Sequence, residues 1–207
     1  VRDPLNHTTT FAYDDLNQLA ATQDPLGHVI TYTYDAAGNV VQMVDANGQV
    51  TVYSYDDLNR LTTIDRPDEL VQFSYDAVGN RLAMSDLTGV TTYSYDELYH
   101  LTGMTDPYSQ TVAYAYDTVG NQISLAYPSA DTATYTYDAA NRLITVTDWA
   151  DGETRYVYDA LGRPLEVVIP GNITATFGYD AGGQLTLLQY ENITGTVASY
   201  LYSYDAA

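Results

Sequence analysis

Any chemistry in this sequence has to come from carboxylates and phenols. Its 207 residues carry 27 acidic side chains and 22 tyrosines against 7 arginines and 3 histidines, with no lysine and no cysteine. Ten of the acids directly follow a tyrosine, at Tyr13-Asp14, Tyr34-Asp35, Tyr55-Asp56, Tyr75-Asp76, Tyr95-Asp96, Tyr116-Asp117, Tyr137-Asp138, Tyr158-Asp159, Tyr179-Asp180 and Tyr204-Asp205. A row of aspartates would suit calcium, but neither the Asp-x-Asp-x-Asp-Gly loop nor the Gly-Gly-x-Gly-x-Asp nonapeptide occurs. Capping of turns explains these acids better. The adjacent pairs Asp14-Asp15 and Asp56-Asp57 read as exposed turn acids, and among so many carboxylates a pair at glycosidase spacing carries no information. His7 and His28 share a repeat phase and His100 does not; two imidazoles without a third ligand make a weak metal site. His-Glu-x-x-His, Gly-x-Ser-x-Gly and a phosphate-binding glycine loop are all missing. No catalytic residue, no metal, no cofactor and no enzymatic activity are expected.

Seventeen of the 22 phenols fall into two columns. Two positions before each Tyr-Asp tyrosine stands Phe11, Tyr32, Tyr53, Phe73, Tyr93, Tyr114, Tyr135, Tyr156, Phe177 or Tyr202, which takes in every phenylalanine of the chain. Exposed in rows, such rings can stack sugars. The structural alternative is packing across neighbouring strands, and it is the better reading. Phenylalanine never replaces the tyrosine of Tyr-Asp itself, which predicts a hydrogen bond for that hydroxyl.

What must position these residues is a repeat. The Tyr-Asp pairs are spaced by 21, 21, 20, 20, 21, 21, 21, 21 and 25 residues, a register that chance does not hold. Aromatic-small-aromatic alternation is the period-2 signature of a strand. Each repeat carries two turn signals. The first follows Tyr-Asp, with a residue able to adopt positive φ three places after the Asp: Gly38, Asn59, Gly79, Gly120, Asn141 and Gly162. The second comes about ten residues later, as in Asp24-Pro25-Leu26-Gly27, Asp45-Ala46-Asn47-Gly48 and Asp86-Leu87-Thr88-Gly89. Two short strands and two tight turns fill the period and leave no room for a helix. The chain is therefore expected to be all-β, an antiparallel hairpin ribbon rather than a solenoid of parallel coils. A sheet of that many strands must curl, split or close, and a curved, spiralling sheet is the expected outcome.

The recurrent unit Tyr-x-Tyr-Asp-x-x-Gly/Asn-Asn/Arg, seen well in Tyr53-Ser54-Tyr55-Asp56-Asp57-Leu58-Asn59-Arg60 and Tyr156-Val157-Tyr158-Asp159-Ala160-Leu161-Gly162-Arg163, resembles the Rhs or YD-repeat family over essentially the whole chain. The resemblance implies a spiralling β-ribbon that wraps into a hollow shell. Such shells enclose toxins in bacterial polymorphic toxin systems and insecticidal complexes, and form a barrel in teneurin receptors. It also implies an extracellular or cell-surface location and a non-enzymatic role: enclosing, delivering or displaying cargo. The family's proteins are usually far longer than nine repeats. Residues 1–207 accordingly read as one array of about nine repeats, without capping units, excerpted from a longer chain.

Partners expected on this reading are further repeats of the same chain, or other copies of it added end to end, and an encapsulated toxin. The alternative is a surface filament or adhesin whose ribbon self-assembles and contacts a surface glycan. A formal net charge of −20 opposes nucleic-acid and anionic-lipid binding. No apolar run is long enough for a spanning helix, so membrane insertion is not expected. Asn6, Asn172 and Asn192 head N-glycosylation triplets, with a glycan conceivable in the turns around the later two.

Overall fold

The computed structural model describes residues 1–4 and 7–205. Among these residues there is no helix, so none is long and apolar enough to cross a membrane. The chain divides into two compact units, one running to Ser94 with Met104–Ser109 added, the other Tyr95–Gly103 together with the chain from Gln110 onward. The first holds β1 (Thr10–Tyr13), β2 (Leu19–Gln23), β3 (Val29–Tyr34), β4 (Val40–Val44), β5 (Val50–Tyr55), β6 (Leu61–Arg66), β7 (Glu69–Tyr75), β8 (Arg81–Asp86) and nearly all of β9 (Gly89–Tyr95). Strand β10 (Leu101–Thr105) contributes residues to both units. The second holds β11 (Thr111–Tyr116), β12 (Gln122–Ala126), β13 (Thr132–Tyr137), β14 (Leu143–Thr147), β15 (Glu153–Tyr158), β16 (Pro164–Ile169), β17 (Ile173–Tyr179), β18 (Leu185–Asn192) and β19 (Gly195–Leu201).

Within each unit every strand pairs antiparallel with the next in the chain, from β1 to β9 and from β11 to β19. This is the hairpin ribbon expected from two turns per period, and parallel coils are excluded within each unit. Both turn types share one construction. At Asp35–Asn39, for example, Gly38 donates its N–H to the Asp35 carbonyl at 3.1 Å and Asp35 donates to Asn39 at 3.0 Å. That is a type I turn closed by a left-handed residue, a connection whose twist suits antiparallel strands. Some second turns are tighter: Arg66 pairs with Glu69, Asp86 with Gly89 and Asn192 with Gly195, leaving two residues in each loop.

Side-chain alternation sorts the residues into two faces. On β5, Thr51, Tyr53 and Tyr55 point one way and Val50, Val52 and Ser54 the other. In seven motifs the first aromatic sits opposite an apolar residue: Tyr32 faces Met43, Tyr53 faces Ile64, Phe73 faces Met84, Tyr114 faces Leu125, Tyr135 faces Val146, Tyr156 faces Val167 and Phe177 faces Leu188, while Phe11 faces Thr22. Each such pair contributes about 0.2–1 kcal/mol. Among the described residues the buried ones are Gly103 on β10 and Thr51, Val71, Ala133 and Ala175. The last four stand four places before a Tyr-Asp tyrosine, on the aromatic face, where the side chain is small or β-branched. Burial thus comes from neighbours within the sheet.

Candidate functional site: the row of Tyr-Asp turns

The Tyr-Asp tyrosine stands at a β-bulge. Tyr34 pairs with Val40 while Thr33 pairs with Gln42, so Val41 is the extra residue. On the other side of β4 the ladder to β5 stops at Gln42–Val52, because the bulge turns the strand away. The carbonyl of Val40 is left beyond the last ladder bond, where an unpaired acceptor would be costly. The Tyr55 hydroxyl fills the gap, donating to the Val40 carbonyl at 2.9 Å.

The same latch recurs in both units. Tyr34 donates to Leu19, Tyr75 to Leu61, Tyr116 to Leu101, Tyr137 to Gln122, Tyr158 to Leu143, Tyr179 to Pro164 and Tyr204 to Leu185, all between 2.7 and 3.0 Å. Each acceptor belongs to the hairpin before, so every latch joins one repeat to the next. Burial raises the phenol pKa of Tyr55, Tyr116, Tyr137 and Tyr158, helped by the neighbouring tyrosine of the motif and the aspartate of the preceding turn. The hydroxyl therefore stays a donor at any physiological pH. Tyr13 is 61% exposed, and Tyr95 makes contacts of its own.

The aspartates cap the turns. Asp14, Asp35, Asp56, Asp76, Asp96, Asp117, Asp138 and Asp159 each accept, through Oδ1, the backbone N–H groups two and four residues on. Asp180 accepts the N–H of Gln184, and Asp205 follows the last strand. The left-handed position is occupied by Gly38 (φ 89°), Asn59 (57°), Gly79 (106°), Gly120 (91°), Asn141 (59°) and Gly162 (81°). Tyr99 takes it too, at φ 66°, with no glycine or asparagine to relieve the conformation. The repeat geometry is strong enough to impose it.

A second bridge was not visible from the motif. In six repeats the residue four places after the capping Asp grips the other carboxylate oxygen and reaches the next repeat. Arg60 Nε donates to Asp56 Oδ2 at 2.7 Å, its Nη1 to the Asp76 carbonyl at 2.8 Å, and its guanidinium lies 4.8 Å from the Tyr75 ring centroid. Arg142 repeats this with Asp138, Asp159 and Tyr158, and Arg163 pairs with Asp159 and covers Tyr179. His100 contacts Asp96 and stacks on Tyr116 at 4.7 Å. Asn39 and Asn121 donate both to their own Asp and to Asn59 and Asn141 of the following turn. Guanidinium, imidazole and carboxamide all serve, because each has a donor for the carboxylate and either a flat surface or a second donor for the neighbour.

These contacts depress the carboxyl pKa values below the ordinary 3.8. For Asp35 and Asp117 the main cause is the side-chain amide of Asn39 or Asn121; for Asp138 it is the Arg142 guanidinium, and for Asp24 the His28 ring. The folded carboxyl holds its proton less tightly than the unfolded one. Stability from the turns is therefore complete above the ordinary value and is lost as the pH falls through the lower folded values. Acid also relieves repulsion within the −20 charge, which acts in the opposite sense. At about 1 M salt, where that repulsion is screened, Tm is expected to fall between pH 5 and pH 2. A flat or rising Tm there would contradict capping. Asp117→Ala is expected to lower Tm by about 3 °C, and Asp117→Asn by less, since the amide oxygen can still accept.

The remaining candidates lie apart from this row. Asp3 and Asp24 hold His7 and His28, each at its own second-type turn, at 3.0 and 2.8 Å. Asn172 is exposed in the turn after β16, while Asn192 ends β18 and accepts from Thr194. Asn6 lies outside the described residues.

The turn row matches a known pattern. The RHS repeat profile fits residues 13–49, 34–71, 75–111, 116–154 and 158–192. Among solved structures, TcdB2-TccC3-TEV is similar with a TM-score of 0.78 at 15% identity, over 95% of this chain and 12% of that one. TcdB2-TccC3-Cdc42 gives 0.57 at 22% identity, over 93% and 12%. A Photorhabdus luminescens Tc holotoxin pore carrying a TccC3 substitution gives 0.54 at 19%, over 96% and 14%. At these identities the likeness is one of fold, and the chain spans only about an eighth of the length of the structures it matches. A comparison with curated protein sequences finds no relative. On its profile matches, which cover most of the sequence, and on the latch-and-turn repeat they correspond to, the chain belongs to the RHS repeat family.

Proposed function

We propose that the chain is a stretch of wall in a secreted or cell-surface Rhs-type protein, whose β-ribbon curves into a shell around a cargo polypeptide and takes no part in catalysis. The observation that carries this reading is the succession of like connections between repeats. Eight tyrosine latches tie one hairpin to the next, and an Arg, His or Asn bridge accompanies most of them. A wall built by adding like units needs connections of this kind between them. The fold likeness to Tc toxin structures supports the same reading.

Protease protection of the complete natural protein tests it. A segment outside the repeats should survive digestion while the ribbon is folded and be cleaved once the ribbon is opened by denaturant. Digestion of all non-repeat sequence at equal rates, with the ribbon intact, would overturn the enclosure.

A further inference from the structure

The second-type turn of the sixth repeat closes on an unusual pair of residues. Eleven residues after the Tyr-Asp tyrosine, Asp24, Asp45, Asp86, Asp106 and Asp148 cap their turns; Arg66, Tyr127, Ile169 and Tyr190 stand there in the other repeats, Tyr127 in the sixth. The backbone still closes, Ala130 donating to Tyr127 at 2.9 Å and Tyr127 to Asp131 at 2.8 Å. It does so with Ala130 at φ 69°, where a glycine would be at ease. This loop has given up both its capping acid and its glycine. A left-handed alanine is a local rule broken, and such places point to a site with another purpose.

The side chain so placed meets the one tryptophan of the chain. The rings of Tyr127 and Trp149 stand 5.6 Å apart at 82°, and Trp149 is 59% exposed. They form a corner in a cleft of about 460 Å³ completed by Gln110, Pro128, Ser129 and Asp131. Ser129 Oγ donates to Asp131 Oδ2 at 2.6 Å, which fixes the carboxylate at the rim. None of the six residues is basic.

We propose that Tyr127, Trp149 and Asp131 form a binding site for a small soluble quaternary ammonium compound of the choline type. Two perpendicular aromatic walls suit a rounded trimethylammonium group, which can press against both; a flat pyranose would stack on only one. The ring quadrupoles attract a desolvated cation, the carboxylate supplies the counter-charge, and the −20 net charge concentrates cations at the surface. A proline-rich peptide would instead turn its carbonyls toward the Asp131 carboxylate, setting acceptor against acceptor. The site is additional to the wall function and does not depend on it.

Trp149 is its own reporter. Titration of the full chain with choline chloride should give a saturable change in tryptophan emission, absent with equal sodium chloride. Tyr127→Ala should abolish it, and Asp131→Asn should weaken binding about fivefold, both with unchanged far-UV spectra. The Tyr127 side chain makes none of the turn's backbone bonds, so that variant should fold; Asp131→Asn gives a second reading. Phosphatidylcholine vesicles should respond more weakly than free choline, because the lipid phosphate faces an acidic surface. No saturable response to choline, an equal response in both variants, or a response to maltotriose or vesicles alone would overturn the site.

Discussion

Tyr137→Ala is expected to destabilise the protein by about 2–3 kcal/mol, below the usual range for a fully buried aromatic because the ring is only half-buried. The variant loses the packing of a half-buried ring and the hydroxyl that caps Gln122. Tyr137→Phe separates the two. It keeps the ring but leaves the Gln122 carbonyl without its donor, at about 1–2 kcal/mol. Tyr135→Phe, two residues earlier on the same face, should stay within about 0.5 kcal/mol, since Phe73 and Phe177 occupy that column elsewhere. Denaturant melts of the three variants check the ranking. If the two phenylalanine variants lose equal stability, the latch is not a specific feature of the Tyr-Asp column.

The second large effect belongs to a turn. Gly89 closes the two-residue loop after Asp86 at φ 129°, a conformation nearly closed to other residues. A Cβ there would stand 2.8 Å from Cβ of Pro107, closer than packed atoms allow. Gly89→Ala should therefore cost about 3 kcal/mol, combining backbone strain with overpacking. Gly48 offers the comparison. It also has positive φ, at 80°, but open space where its Cβ would go, so Gly48→Ala should cost about 1 kcal/mol. Equal losses would mean that the approach of Pro107 carries no weight.

These two sites mark what the sequence makes legible and what it hides. The hairpin ribbon was readable because aromatic alternation and the Asp-to-Gly/Asn spacing are local: strand period and turn chemistry are written within a few residues. The hydrogen bond of the Tyr-Asp hydroxyl could be anticipated from the absence of phenylalanine in that column. Its acceptor could not, because the Leu19 or Val40 carbonyl becomes available only through a bulge, and a bulge is a property of the paired ladder. The bridges of Arg60, His100 and Asn121 were hidden for a related reason. Three different side chains share one position, and what unites them is the neighbour they reach in the next repeat. The left-handed Tyr99 and Ala130 were missed because propensity points elsewhere and the repeat geometry overrides it. Tyr127 and Trp149 lie in separate loops that the intervening β13 hairpin brings together, so their sequence separation gave no sign of a shared cleft.

The central claim is that these repeats form the wall of a closed container, and its most direct test is a cryo-EM map of the complete natural protein. The account predicts a hollow particle in which residues 10–201 trace part of a continuous curved β-ribbon, with density for other polypeptide inside. An open filament of repeating subunits with no enclosed volume would contradict it.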